Sequence, residues 1–116
     1  MSIQRIDSGT HLSKAVIHGN TVYLAGMTAN KTLGQSVTEQ TREILSMIDG
    51  YLAQAGTDKS KLLTANIWIA DMGKFAEMNA VWDTWVSPGN TPARATVEAK
   101  LATPAYAVEI MVVAAK

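Results

Sequence analysis

Gly19-Asn20 separates two runs rich in β-forming residues, Leu12–His18 and Thr21–Met27. A two-residue connection of this composition between strands signals a β-hairpin, since glycine and asparagine accept the positive φ such a turn demands. An antiparallel pair near the start of the chain is therefore expected, with Ser2–Ile6 a shorter possible strand ahead of it. The next signal is helical. Ser36 and Glu39 have the spacing of a capping box, and Ile44, Ile48, Leu52 and Ala55 then recur on one helical face, flanked by Leu45 and Tyr51. Gly56 is placed to end that helix in the left-handed conformation. Gly50 inside it costs about 1 kcal/mol against alanine if exposed.

Leu62–Ala70 reads as a strand in which Leu63, Ala65, Ile67 and Ile69 alternate with Leu62, Thr64, Asn66 and Trp68. Asp71 is expected to cap a second helix, with Phe75, Met78, Trp82 and Trp85 at helical spacing. Ser87-Pro88-Gly89 stops it. Two strands follow, about Arg94–Leu101 and Tyr106–Ala114, joined by a loop holding Pro104. The order ββ-α-β-α-ββ predicts an α+β two-layer domain: a mixed sheet of about six strands with both helices on one face. Such a sheet leaves its other face open. The half-polar Arg94–Leu101 strand points to another copy of the chain as the cover.

The bulk properties narrow the function. At 116 residues the chain is one domain, residues 1–116, with 47% apolar residues to build a core. Ten basic and ten acidic residues leave no net charge, which removes the broad electrostatic footprint of a nucleic-acid binder. No cysteine is present, so disulfides, thiolate zinc sites and cysteine nucleophiles are excluded. The N-terminus lacks signal-peptide character, and no apolar run reaches membrane-spanning length. A soluble cytoplasmic protein is the expectation.

Two charges stand out. Arg94 opens a strand whose side chains divide into Ala95, Val97, Ala99 and Leu101 on one face and Arg94, Thr96, Glu98 and Lys100 on the other. Glu109 is the only residue charged at neutral pH within the apolar run Tyr106–Ala114. Together they could make one site. Taken singly, each has a plainer reading: Arg94 as a surface or intersubunit ion-pair partner, Glu109 as a buried salt-bridge partner or strand-edge residue. His11 and His18 have no second ligand at metal spacing and read as surface residues. Trp82 and Trp85 read as core or edge packing, and Trp68 as facing solvent or a neighbouring subunit. Asn79 reads as a residue that hydrogen-bonds backbone and holds a loop.

From Gly19 onward the chain resembles the RidA/YjgF family. Gly19-Asn20-Thr-Val-Tyr-Leu-Ala-Gly26 is similar to that family's hairpin, and Gln40-Thr41 with Leu45, Ile48 and Ala55-Gly56 to its first helix. Asp71-Met-Gly-Lys-Phe75 with Asn79, Pro92-Ala-Arg94 with Val97 and Leu101, and Val108-Glu109-Ile110 complete the likeness. The resemblance implies a chorismate-mutase-like fold and a homotrimeric barrel with sites between subunits. It implies that Arg94 binds a substrate carboxylate, that Glu109 positions a water, and that backbone near Gly26 and Thr96 lines the pocket. The family's type members hydrolyse 2-iminoacids to 2-oxoacids and ammonia, a reaction needing no metal or organic cofactor. This sequence departs from the pattern at Leu12, where a pocket tyrosine is usual, and at Ala25, Met27 and Thr96, where serine, glutamine and cysteine are usual. Its Thr28–Gln35 loop is also shorter. The expected function is therefore a divergent iminoacid deaminase acting on a small carboxylate-bearing substrate, without nucleic-acid or membrane partners. The alternatives are a non-enzymatic binder of small carboxylates such as 2-oxoacids, and an interaction or chaperone-like protein. A ribonuclease role is disfavoured by the zero net charge and the lack of a plausible histidine pair. If sites lie between subunits, light scattering must return a mass of three chains; a monodisperse monomer would rule out an interface site.

Overall fold

The computed structural model describes residues 2–116, and its elements follow the expected order. Strands β1 (Ile3–Ser8), β2 (Ser13–His18), β3 (Thr21–Leu24) and β4 (Met27–Thr28) precede helix α1 (Val37–Gln54). Then come β5 (Leu62–Ile69), α2 (Phe75–Trp85), β6 (Ala93–Glu98) and β7 (Val108–Ala115), with short 3-10 turns at Lys59–Lys61 and Met72–Lys74. One mixed sheet runs in the order β1-β2-β3-β7-β5-β6, with β4 also pairing with β7. Every pairing is antiparallel except β5 with β6, the two strands joined through α2.

The hairpin forms as expected: His18 pairs with Thr21, and Gly19 has φ of +60°. The Thr21–Met27 run is not one strand. Tyr23 pairs with Val113 and Met27 with Ile110, so the register against β7 slips by one residue across Ala25-Gly26. That slip is a bulge. A second irregularity lies between Leu62 and Thr64. It turns Leu62 into the core and leaves Leu63 48% exposed, the reverse of the simple alternation expected there. The edge strand β1 runs on to Ser8, past the expected Ile6. It has little buried periodicity to betray it, since only Ile6 is half-buried.

Both helices pack on one face of the sheet. From α1, Ile44, Leu45, Ile48 and Leu52 are buried; from α2, Met78, Trp82 and Trp85. They meet the inner row of the central strands: Val108, Ile110, Val112 and Ala114 of β7 with Ala65, Ile67 and Ile69 of β5. Full burial of one such aliphatic side chain stabilises by about 1.5–3 kcal/mol, so this stripe outweighs the cost of the exposed Gly50. Trp82 and Trp85 pack with ring centroids 5.3 Å apart, and the Trp85 indole N–H donates to both Asp49 oxygens at 3.0 and 3.1 Å.

The helix ends differ in detail from expectation. The Ser36 hydroxyl accepts the Glu39 N–H at 3.2 Å, but the Glu39 carboxylate turns to Arg42 at 2.7 Å instead of reaching back. Half of the capping box forms. Gly56 has φ of +84°, the left-handed conformation expected of it. Asp71 accepts from Gly73 and so caps the Met72–Lys74 turn, which leads into α2; Lys74 at the helix start has no side-chain cap. The last strands are shorter at one end than their apolar runs: β6 stops at Glu98 and β7 begins at Val108.

Buried polar side chains fasten the loops. Gln40 is fully buried, and its amide donates to the carbonyls of Gln35 and Ala105 while its oxygen accepts from Ala107 N–H. Glu43 gathers the loop after β4, accepting from the N–H groups of Asn30, Lys31 and Thr32 and from the Thr32 hydroxyl at 2.6–3.0 Å. Burial acts to raise the Glu43 pKa, but these hydrogen bonds, Thr32 first, outweigh it and hold it down to about 2 from an ordinary 4.5. Hydrogen bonding to the ionised form favours that form. A depressed carboxylate stabilises the fold above its unfolded pKa and loses that contribution as pH falls through the folded one. Urea titrations should therefore show Glu43 losing its contribution between pH 4.5 and about 2. Glu43→Gln should lower stability by about 1–3 kcal/mol at pH 7 and flatten that acid limb.

Candidate functional site

Strand alternation sorts the expected site residues into two pairs. On β6, Arg94 and Thr96 lie opposite Ala65 and Ile67 of β5, which face the helices. On β7, Glu109 lies between Thr28 of β4 and Trp68 of β5, in the row that faces away from the helices. Within one chain Arg94 and Glu109 are therefore on opposite faces of the sheet and do not meet. The pleat is the reason, and a single site holding both, as expected between subunits, needs a second copy of the chain.

Arg94 is half-buried against α2. One guanidinium nitrogen donates to Asn79 Oδ1 at 2.8 Å. Its guanidinium carbon lies 5.3 Å from the centroid of the Trp82 ring and 5.8 Å from that of Phe75, within the range of cation–π attraction. Phe75, Asn79 and Trp82 are spaced by four and three residues, so they share one helical face and reach the strand together. Among the described residues no carboxylate pairs with Arg94; the ion pairs are Arg42 with Glu39 and Lys74 with Glu77. The arrangement is a cation held in place and left unneutralised. Its remaining N–H groups could take a planar anion through two parallel hydrogen bonds.

Asn79 thus differs from its sequence reading: its side chain accepts from Arg94 and not from a backbone group. The signal for this role was a polar residue inside the Phe75–Trp82 stripe. Thr96 shares Arg94's face, and its hydroxyl is buried without a hydrogen-bond partner among the described residues. The neighbouring Glu98 accepts the Met72 N–H at 2.8 Å and so fastens the end of β6 to the turn before α2.

On the open face, Gly26 lies beneath Glu109. A methyl group on Gly26 would land on the Glu109 Oε2, with the carboxyl carbon 3.1 Å away. The bulge at Ala25-Gly26 brings the backbone close to the carboxylate, and only a residue without Cβ leaves room for it. Around this pair the face is largely apolar. Tyr23 and Val97 are about half exposed, at 47% and 49%, and Trp68, Met111 and Val113 are half-buried. His11 and His18 are exposed, as expected. No cluster of three His, Asp or Glu side chains able to hold a metal occurs among the described residues.

An α+β subunit with this topology, a held arginine at the sheet edge and a glutamate over a glycine bulge defines a recognisable class. The family model described as "Endoribonuclease L-PSP" matches residues 2–116. A RutC family protein of Haemophilus influenzae is 48% identical over 98% of both chains. The RutC family protein YoaB of Escherichia coli is 46% identical over 99% of both. Among solved structures, a YjgF family member from Neisseria meningitidis superposes with a TM-score of 0.96 at 44% identity, covering 100% of this chain and 96% of that one. The chain belongs to the YjgF/RutC family. Among the described residues no helix is long and apolar enough to cross a membrane.

The contact between Gly26 and Glu109 has a direct consequence. Gly26→Ala should fold, since Glu109 can swing away from the open face, but a crystal structure should find its carboxylate displaced from the bulge. A structure with Glu109 unmoved over alanine would refute the close approach.

Proposed function

We propose that the protein is a deaminase that hydrolyses small 2-iminoacids to 2-oxoacids and ammonia, at sites shared between copies of the chain. The observation that carries this reading is Arg94: half-buried, fixed by a neutral amide and two rings, and without a carboxylate partner among the described residues. Such a group suits a carboxylate-bearing ligand, and membership of the YjgF/RutC family supports the same direction. Arg94 and Thr96 of one copy would face Glu109 and Gly26 of the next, so the site needs the assembly. The apolar open face around Glu109 supports a second copy as its cover, and the family resemblance favours three in a ring.

The chemistry follows from these roles. Arg94 binds the substrate carboxylate and orients the C=N carbon. Glu109 holds a water against that carbon and takes its proton as oxygen adds, giving a tetrahedral carbinolamine. That proton passes to nitrogen, the hydroxyl proton follows it as the oxygen becomes a carbonyl and the C–N bond breaks, and 2-oxoacid and ammonia leave. Iminoacids already hydrolyse in water, so positioning in a water-poor site contributes most of the acceleration. Glu109 acts as general base and then acid.

A second reading keeps the Arg94 site and drops turnover: a binder of small 2-oxoacids. Leu12, half exposed in the β1–β2 connection, favours it, because it offers no hydroxyl where the family resemblance would place one. RNA cleavage, the activity named in the family model's description, is disfavoured by the zero net charge and by His11 and His18 flanking β2 at its two ends.

Loss of enzymatically generated 2-iminopropanoate, measured against semicarbazide trapping, tests the proposal. Wild type should accelerate hydrolysis, Arg94→Ala should remove the acceleration, and Glu109→Ala should lower kcat by about 10²–10⁴-fold. Wild type matching the protein-free control across several iminoacids, while still binding a 2-oxoacid, would select the binder.

A further inference from the structure

We infer that Asn79 is a positioning residue whose neutrality keeps Arg94 available to an anion. The inference rests on the reading that Arg94 binds a carboxylate, and it assigns a role to a residue outside the expected site.

A half-buried guanidinium carries five N–H donors and usually meets a carboxylate, the partner that matches its geometry and charge. Here the group that meets it is the Asn79 amide oxygen, at 2.8 Å. That oxygen fixes the direction of one donor but carries only a partial charge, so the cation keeps its full attraction for a further ligand. Trp82 and Phe75 hold the guanidinium from their ring faces, again without neutralising it. Among the described residues, every contact that aims Arg94 is thus made by an uncharged group. Asn79 sits on α2 one helical turn beyond Phe75, where an aspartate would have the same size and reach.

An aspartate at position 79 would convert the contact into a charge-assisted pair, shorter and roughly twice as strong as a neutral hydrogen bond. If the bond served only to dock α2 on the edge strand β6, aspartate would serve as well or better. If it serves the anion site, aspartate would occupy the arginine with an internal carboxylate and exclude the external one. One isosteric change thus reads the two roles separately, docking in the thermal midpoint and the anion site in affinity.

The experiment compares wild type, Asn79→Asp and Asn79→Ala, with pyruvate as the probe. Its dissociation constant is measured by calorimetry at fixed ionic strength and pH 7, beside the thermal midpoint and the KM and kcat for iminoacid hydrolysis. Asn79→Asp should keep or raise the thermal midpoint while weakening pyruvate binding by about tenfold or more and raising KM more than it lowers kcat. Asn79→Ala leaves the charge but frees the side chain, and should weaken binding by several-fold. Equal pyruvate affinity in wild type and both variants would overturn the inference while leaving the carboxylate site standing. Should wild type itself not bind pyruvate, the carboxylate-site reading fails and the inference falls with it. If Asn79→Asp does not fold, an unchanged affinity in Asn79→Ala overturns the inference, and a several-fold loss with kcat retained supports it.

Discussion

The two-residue period of a β-strand settles more about this protein than any single contact. On β7, Val108, Ile110, Val112 and Ala114 point one way and are fully buried beneath the helices, while Glu109, Met111 and Val113 point the other way and stay partly open. The core and the open face are therefore written into alternate positions of the same eight residues. The same period on β6 sends Arg94 and Thr96 to the helical side and Ala95 and Val97 to the open side. A slip of one residue in either strand would exchange core for surface along its whole length. The buried rows hold the register, and through it they decide where each charge emerges.

This constraint also explains how an arginine and a glutamate can serve one ligand only through association. In the proposed function the subunit presents two half-sites, one built on an edge strand and α2, the other on the sheet's open face beside a bulge. The first is made rigid by neutral contacts from Phe75, Asn79 and Trp82. The second is made close by the absence of a side chain at Gly26. Contact between unlike surfaces of identical subunits is head-to-tail, and it yields a ring when the rotation closes. The proposed arrangement of sites between copies is of this kind.

Features with a short period or a local turn signal were legible in the sequence. The Gly19-Asn20 hairpin, the α1 stripe from Ile44 to Ala55 and the alternation in β7 depend on residues near one another in the chain. What escaped depends on partners far away. The bulge at Ala25-Gly26 exists opposite β7 and leaves room for the Glu109 carboxylate, more than eighty positions downstream. The slip at Leu62-Leu63 shows only in the pairing with β7. Asn79 carries no local sign of its role because its partner, Arg94, reaches it from β6. The faces of Arg94 and Glu109 could be assigned within each strand, but their relation needed the order of strands in the sheet, which spacing along the chain does not contain.

The placement of β7 has a consequence for how the protein comes into being. Strand β7, which follows all the other described strands in chain order, lies in the middle of the sheet, pairing with β3 and β4 on one side and β5 on the other. Until it arrives, a growing chain holds two partial sheets whose inner edges, β3 and β5, expose unpaired backbone groups. Such edges are templates for pairing with foreign strands. The segment that joins the halves follows both of them in chain order, and just after it Lys116 donates its N–H to the Asn20 carbonyl at 2.8 Å. A nascent chain of this fold remains exposed to mispairing until β7 is made, and loss of Val108–Ala115 would remove the centre of the sheet.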